Sequence, residues 1–270
     1  MSKIHVATKD GNRFEYELDE LDTLWREGTI SREALYWREG MSDWLPLQDL
    51  LDEPPQSKGS SSFQFVKDPR PLTQLLIAML WVSLGFEVIS IIGESMQIAL
   101  LERIYTASES EIAANDTRQQ MIGIGYLVVF IVTAIVFLKW IYRANLNARQ
   151  FTSKEMDFTP GWSIGYYFIP VMNLYKPYQA MREIWQVSEA SEDWQNVKVS
   201  PILAWWWGLW IISNVIGQII FRIPEGESVQ DFINAGYVSL FSSIIGIPLC
   251  LLAIQLVRRI TKKQELLVEG

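Results

Sequence analysis

The stretch "PGWSIGYYFIPVMNLYKPYQAMREIW", residues 160–185, decides how the rest of the chain is read. It is too apolar for an aqueous loop, yet its three prolines, Asn173 and Lys176 make it a poor membrane-spanning helix. If it crosses a bilayer, everything after it changes side. If it enters and leaves on one face, the chain has an even number of crossings.

Charge distribution chooses between these. Four other runs have membrane length, roughly residues 72–92, 121–141, 202–221 and 232–257. Lys67 and Arg70 precede the first. Lys139, Arg143, Arg149, Lys154, Lys176, Arg182 and Lys198 lie at the end of the second or between it and the third, and Arg258, Arg259, Lys262 and Lys263 follow the core of the fourth. The two opposite loops hold only Arg103, Arg118 and Arg222 among eight acids. The positive-inside rule then places both termini and residues 142–200 in the cytoplasm, so residues 160–187 are expected to be a re-entrant or interfacial helical segment. A helix from Trp162 to about Ile169 would be broken at Pro170, and a second would return through Gln179 and Trp185.

The chain of 270 residues is not uniform. Residues 1–60 carry 7 Lys/Arg against 13 Asp/Glu and no apolar run of membrane length, which marks a small acidic water-soluble domain. Within it "KIHVATKDG" reads as a strand closed by Asp10-Gly11, "DELDTLWREG" as a helix stopped by Gly28, and 34–38 as a second strand. A last helical turn follows, capped by Ser42 or Asp43, and Trp25, Trp37 and Trp44 are expected to supply most of the core. Pro54-Pro55 and Gly59-Ser60-Ser61-Ser62 make residues 53–66 a flexible linker. The expected fold is an all-α integral membrane bundle of four transmembrane helices over 67–264, with an α+β domain at 1–52.

Two constellations are candidate sites. Glu87 lies deep in the first run, where an acid is costly and a functional candidate by default. With Asn214, Gln218, Ser242 and Ser243 it could form a polar intramembrane pocket, or it could glue helices near the outer interface. At the cytoplasmic rim Trp162, Asn173, Lys176, Gln179 and Arg182, with Asn145, Asn147 and Glu183 nearby, could hold a lipid headgroup or a small anion. The many aromatic residues of that rim have the composition of an interfacial belt.

"LDELDTLWREGTISREALYWREGMSDWLPL" resembles the bacterial variety of the GYF domain, whose eukaryotic relatives bind proline-rich peptides. The likeness implies a peptide cradle, for which Tyr16 and Tyr36 are the aromatic candidates; "FEY" at 14–16 stands where the family has a Gly-Pro-aromatic element. The block around residues 160–185, with Tyr-Phe-Ile-Pro, Asn-Leu and Lys-Pro-Tyr-Gln-Ala-Met-Arg, resembles a bacterial polytopic membrane family catalogued as a domain of unknown function. That implies a bacterial inner-membrane protein and a fold, but no activity.

Composition narrows the chemistry. One cysteine, Cys250, and one histidine, His5, leave no clustered soft ligands, so neither a metal nor another cofactor is expected. Nucleophile and phosphate-loop motifs are missing, which argues against an enzyme. An acidic soluble domain would repel nucleic acid. Two functions survive. In one, the tethered cytosolic module recruits a peptide or protein to a membrane platform; in the other, the membrane half is a conduit for a small solute, lipid or ion, with Glu87 on the pathway and the re-entrant segment as gate. Membrane lipids are expected partners, and the sequence names no oligomeric state.

Overall fold

A computed structural model describes residues 4–8, 12–26, 29–31, 34–38, 41, 43–51, 63–222 and 228–269. The Asp10-Gly11 turn, Gly28, Ser42 and most of the linker lie outside the described residues. The chain divides into two compact units, essentially Met1–Ser62 and Phe63–Val268.

In the first unit β1 (Ile4–Ala7), β2 (Arg13–Tyr16), β3 (Leu35–Trp37) and β4 (Leu45–Pro46) form an antiparallel sheet in the order β2-β1-β3-β4. Ile4 and Val6 alternate inward along the central strand, with Tyr16 opposite Ile4 and both Phe14 and Tyr36 opposite Val6. These side chains share one face, which α1 (Leu18–Arg26) and α2 (Leu47–Leu51) help to cover through Leu21 and Leu47. Two elements differ from expectation. Arg13–Tyr16 is a strand in its own right, and Leu45–Pro46 pairs with β3 before the last helix begins, on an edge where proline's missing N–H costs no ladder bond.

The core is also different. It is aliphatic, built on Ile4, Val6, Leu21, Ile30, Ala34 and Leu47, with Trp25 only packed against it. Trp37 instead donates to the Met41 carbonyl at 2.9 Å and faces the His5 ring, while Trp44 lies under the Arg13 guanidinium.

Among the described residues of the second unit, four helices are long and apolar enough to cross a membrane: α3 (Arg70–Leu101), α4 (Glu109–Ala148), α7 (Pro201–Arg222) and α8 (Val229–Glu269). Between α4 and α7 lie the short α5 (Pro160–Gly165) and α6 (Lys176–Glu189). α4 starts well before its apolar run because Ser108 and Glu111 form a reciprocal capping box.

The main core gathers where α3 and α7 begin and α4 and α8 approach their ends: Leu76, Leu80, Trp140, Ile184, Leu203, Leu256 and Ile260 are buried together. A polar layer runs through it. The Thr73 and Thr261 hydroxyls meet at 2.9 Å, the Trp140 indole N–H donates to Thr73 at 3.1 Å, and Gln264 donates to the Ala144 carbonyl and the Ser188 hydroxyl. Each bond joins different helices, so the layer fixes their register as well as satisfying buried groups.

The aromatic rim divides likewise. Trp140, Trp185, Trp206 and Trp207 are buried core residues rather than belt anchors, whereas Tyr142, Trp162, Tyr175 and Trp205 are exposed. The chain is also fastened earlier than residue 67. Phe63 and Phe65 pack edge-on against Phe151, and the Asn147 amide both donates to the Lys67 carbonyl and accepts from its N–H.

Candidate functional site

Residues 160–185 form two short helical arms joined by a tight turn. Thr159 caps α5 by accepting from the Trp162 N–H, and Pro160 occupies the first turn, where a missing N–H does no harm. The arm continues as a 3-10 turn over Tyr166–Phe168. Pro170 prevents its continuation, and the reversal falls at Val171, at φ 67° and ψ −47°, where the Met172 N–H donates to the Pro170 carbonyl at 2.8 Å. This is a γ-turn of the strained, positive-φ kind, unusual for a β-branched residue. A second 3-10 turn, Met172–Leu174, leads into α6.

The turn is held against α7. The Trp207 indole N–H donates to the Leu174 carbonyl at 3.0 Å, and the Tyr167 ring meets Trp207 and Trp210 edge-on. Trp207 and Trp210 lie two to three turns into α7, so the tip runs roughly 10–15 Å along that helix from Pro201. Its outer surface is apolar and bare: Phe168 is 74% exposed and Val171 70%, with Leu174 and Tyr175 beside them.

The five rim residues do not converge. Lys176 is half-buried, with its ammonium 5.4 Å from the Phe158 ring centre, 5.9 Å from Tyr166 and 5.7 Å from Tyr175. These rings occupy the cation through their electron-rich faces. Trp162 lies tilted against the Tyr166 ring, with centres 5.1 Å apart, Gln179 and Arg182 are exposed, and Asn173 lies on a groove with α7 residues.

Their neighbours spend their polar groups on backbone. The buried Glu183 carboxylate accepts from the Asp157 N–H at 2.6 Å and the Phe158 N–H at 3.1 Å, while Asn145 donates to the Phe158 carbonyl. Burial pushes the Glu183 carboxyl above the ordinary carboxylate range, and the two N–H bonds oppose that shift. These residues anchor the loop from 149 to 159 instead of lining a cavity.

The intramembrane pocket is divided as well. Glu87, 6% exposed, accepts from the Tyr126 hydroxyl at 3.1 Å and has Ser243 as a second hydrogen-bonding partner. Its carboxyl lies flat against Gly246, where a Cβ would collide with it. The contact joins α3, α4 and α8. Asn214 and Gln218 lie apart from it, on an open groove of α7 with Asn173, and of the two neighbouring serines it is Ser243, not Ser242, that bonds Glu87. Tyr126 and Gly246 were missed in the sequence because a tyrosine or glycine in an apolar run signals nothing until its azimuth is known.

Residues 103–262 match the family model described as Domain of unknown function (DUF4328). The chain belongs to the DUF4328 family. Residues 5–51 match the model of GYF domain 2. Comparison with curated proteins and with solved structures returned no match. The DUF4328 match spans α4 to most of α8, including α5, α6 and their turn, and leaves out α3. Glu87 therefore lies outside the matched region, while its partners Tyr126 and Ser243 lie inside it.

On the GYF-type unit, Tyr16 and Tyr36 are partly buried against the core. Phe14, beside Tyr16 with ring centres 6.1 Å apart, is 45% exposed on edge strand β2. Among the described residues no group of three or more His, Cys, Asp and Glu side chains could hold a metal ion.

Proposed function

We propose that this protein is a non-enzymatic membrane platform whose GYF-type unit recruits a proline-rich peptide or cytosolic protein. The observation that carries the reading is the GYF domain 2 match over residues 5–51 on a unit that has its own sheet and core. Phe14, Tyr16 and Tyr36 share a sheet face, and the ring of Phe14 is available on the edge strand to a flat proline. The membrane half is the anchor; the family likeness supports a bacterial inner membrane as its site, and the excess of basic residues on one side supports cytoplasmic termini. Residues 160–185 enter and leave from the cytoplasmic side; the bare apolar tip and its position along α7 support this. The conduit reading is weaker, because Glu87 is closed in by Tyr126, Ser243 and Gly246.

The test is binding of a fluorescent proline-rich peptide to the full-length protein in mild detergent. Phe14→Ala is expected to weaken binding, with Leu35→Ala, on the opposite sheet face, leaving it unchanged. Equal binding by both variants and by a chain lacking residues 1–52 would sink the reading.

A further inference from the structure

The stripe of α7 that packs against the tip continues beyond it. Trp207 holds the Leu174 carbonyl, and on the same side of the helix Asn214, Gln218 and Arg222 follow at four-residue intervals. They form the polar edge of an open groove of about 650 Å³ that Ile211, Val215 and Ile219 also line, with Asn173 and Leu174 of the tip at its deep end. From Ile211 to Arg222 it is roughly 16 Å long, about half a bilayer core.

The groove's chemistry is graded along its length. At the inner end of the polar edge the Asn214 amide N–H is returned to its own helix, donating to the Trp210 carbonyl at 2.8 Å, which makes that depth tolerable to an apolar occupant. One turn on, Gln218 makes no hydrogen bond among the described residues. At the open end Arg222 is exposed and has no ion pair among the described residues. It is also one of only three basic residues in the two loops that the charge count puts outside.

We infer that this groove binds one anionic phospholipid, with its phosphate on Arg222, a glycerol ester carbonyl at Gln218, and one acyl chain along Val215 and Ile219 down to Leu174. A cation at the interface, a hydrogen-bond donor one turn below it and an apolar slot beneath reproduce the order of groups along such a lipid. A second copy of the chain fits less well. Two copies related by an axis along the membrane normal would set Arg222 against Arg222, whereas a phosphate brings the opposite charge. The inference rests on the reading that residues 160–185 enter the bilayer beside α7, which cysteine labelling tests separately.

The experiment is native mass spectrometry of the full-length protein, with phosphatidylglycerol or phosphatidylcholine as the added probe. The wild-type chain is expected to retain one phosphatidylglycerol in preference to phosphatidylcholine. Arg222→Gln, at an exposed helix end where folding is not at stake, lowers that retention about tenfold. Val215→Trp fills the slot and abolishes it, and Val128→Trp, on the exposed face of α4, leaves it intact. Excess inorganic phosphate does not displace the lipid. Equal retention by all variants, equal retention of both lipids, displacement by phosphate alone, or a dimer that Val215→Trp dissociates would each overturn the proposal. If labelling supports the re-entrant path while retention is uniform, the groove assignment alone fails.

Discussion

The packed end and the middle of the helical unit handle a buried carboxylate in opposite ways. At the packed end Glu183 accepts from two backbone N–H groups and holds a loop; midway along the long helices Glu87 accepts from side-chain hydroxyls and holds a helix contact pressed onto Gly246. Backbone donors cannot move without moving the chain, so Glu183 is a point of rigidity. Hydroxyls can rotate to a new partner, so Glu87 is replaceable by any group of similar shape that hydrogen-bonds.

The largest effect is therefore expected at the packed end. Glu183→Ala leaves the buried Phe158 N–H and the part-buried Asp157 N–H without their partner and costs about 2–3 kcal/mol, read as a lower unfolding midpoint in detergent and rapid protease cleavage between residues 149 and 159. Next is Gly246→Ala, whose new methyl meets the Glu87 carboxyl and costs about 1–2 kcal/mol; because that neighbour is the end of a flexible side chain, pairing it with Glu87→Ala should recover part of the loss in a double-mutant cycle. Glu87→Gln keeps the shape and the hydroxyl partners and is expected to cost under about 1 kcal/mol. A loss as large as that of Glu183→Ala would erase the distinction between the two sites. The smallest effect concerns pH. The folded-state pKa of Glu183 is raised, so its contribution is greatest below the ordinary carboxylate value and falls as pH rises through the raised one; Glu183→Gln should flatten that slope in midpoint-against-pH curves.

The sequence made some of this legible and hid the rest for identifiable reasons. Four long apolar runs and the break at Pro170 could be read directly, because span length and a missing N–H are local properties. The full length of α4 could not be read from hydropathy, since the turns beyond its apolar run are polar; the Ser108–Glu111 box was the available signal. Glu87 stood out by its rarity, but its grouping with Asn214 and Gln218 used depth alone, and depth without azimuth cannot say which helix faces meet. Trp25, Trp37 and Trp44 were natural choices for a small core, yet Ile4, Val6 and Leu21 fill it because strand alternation and the α1 face place them there. The strain at Val171 had no signal at all, because a β-branched residue is the last choice for a positive φ.

The central claim is that residues 160–185 enter and leave on one side. In a Cys250→Ala background, single cysteines at the exposed Lys154 and Gln195 flank the segment, and one at Glu109 reports the loop between α3 and α4. With a membrane-impermeant thiol reagent, Lys154→Cys and Gln195→Cys should both label only in inverted vesicles, and Glu109→Cys only in intact cells. Labelling of Lys154→Cys and Gln195→Cys from opposite sides would mean that the segment crosses the membrane, and would contradict the account.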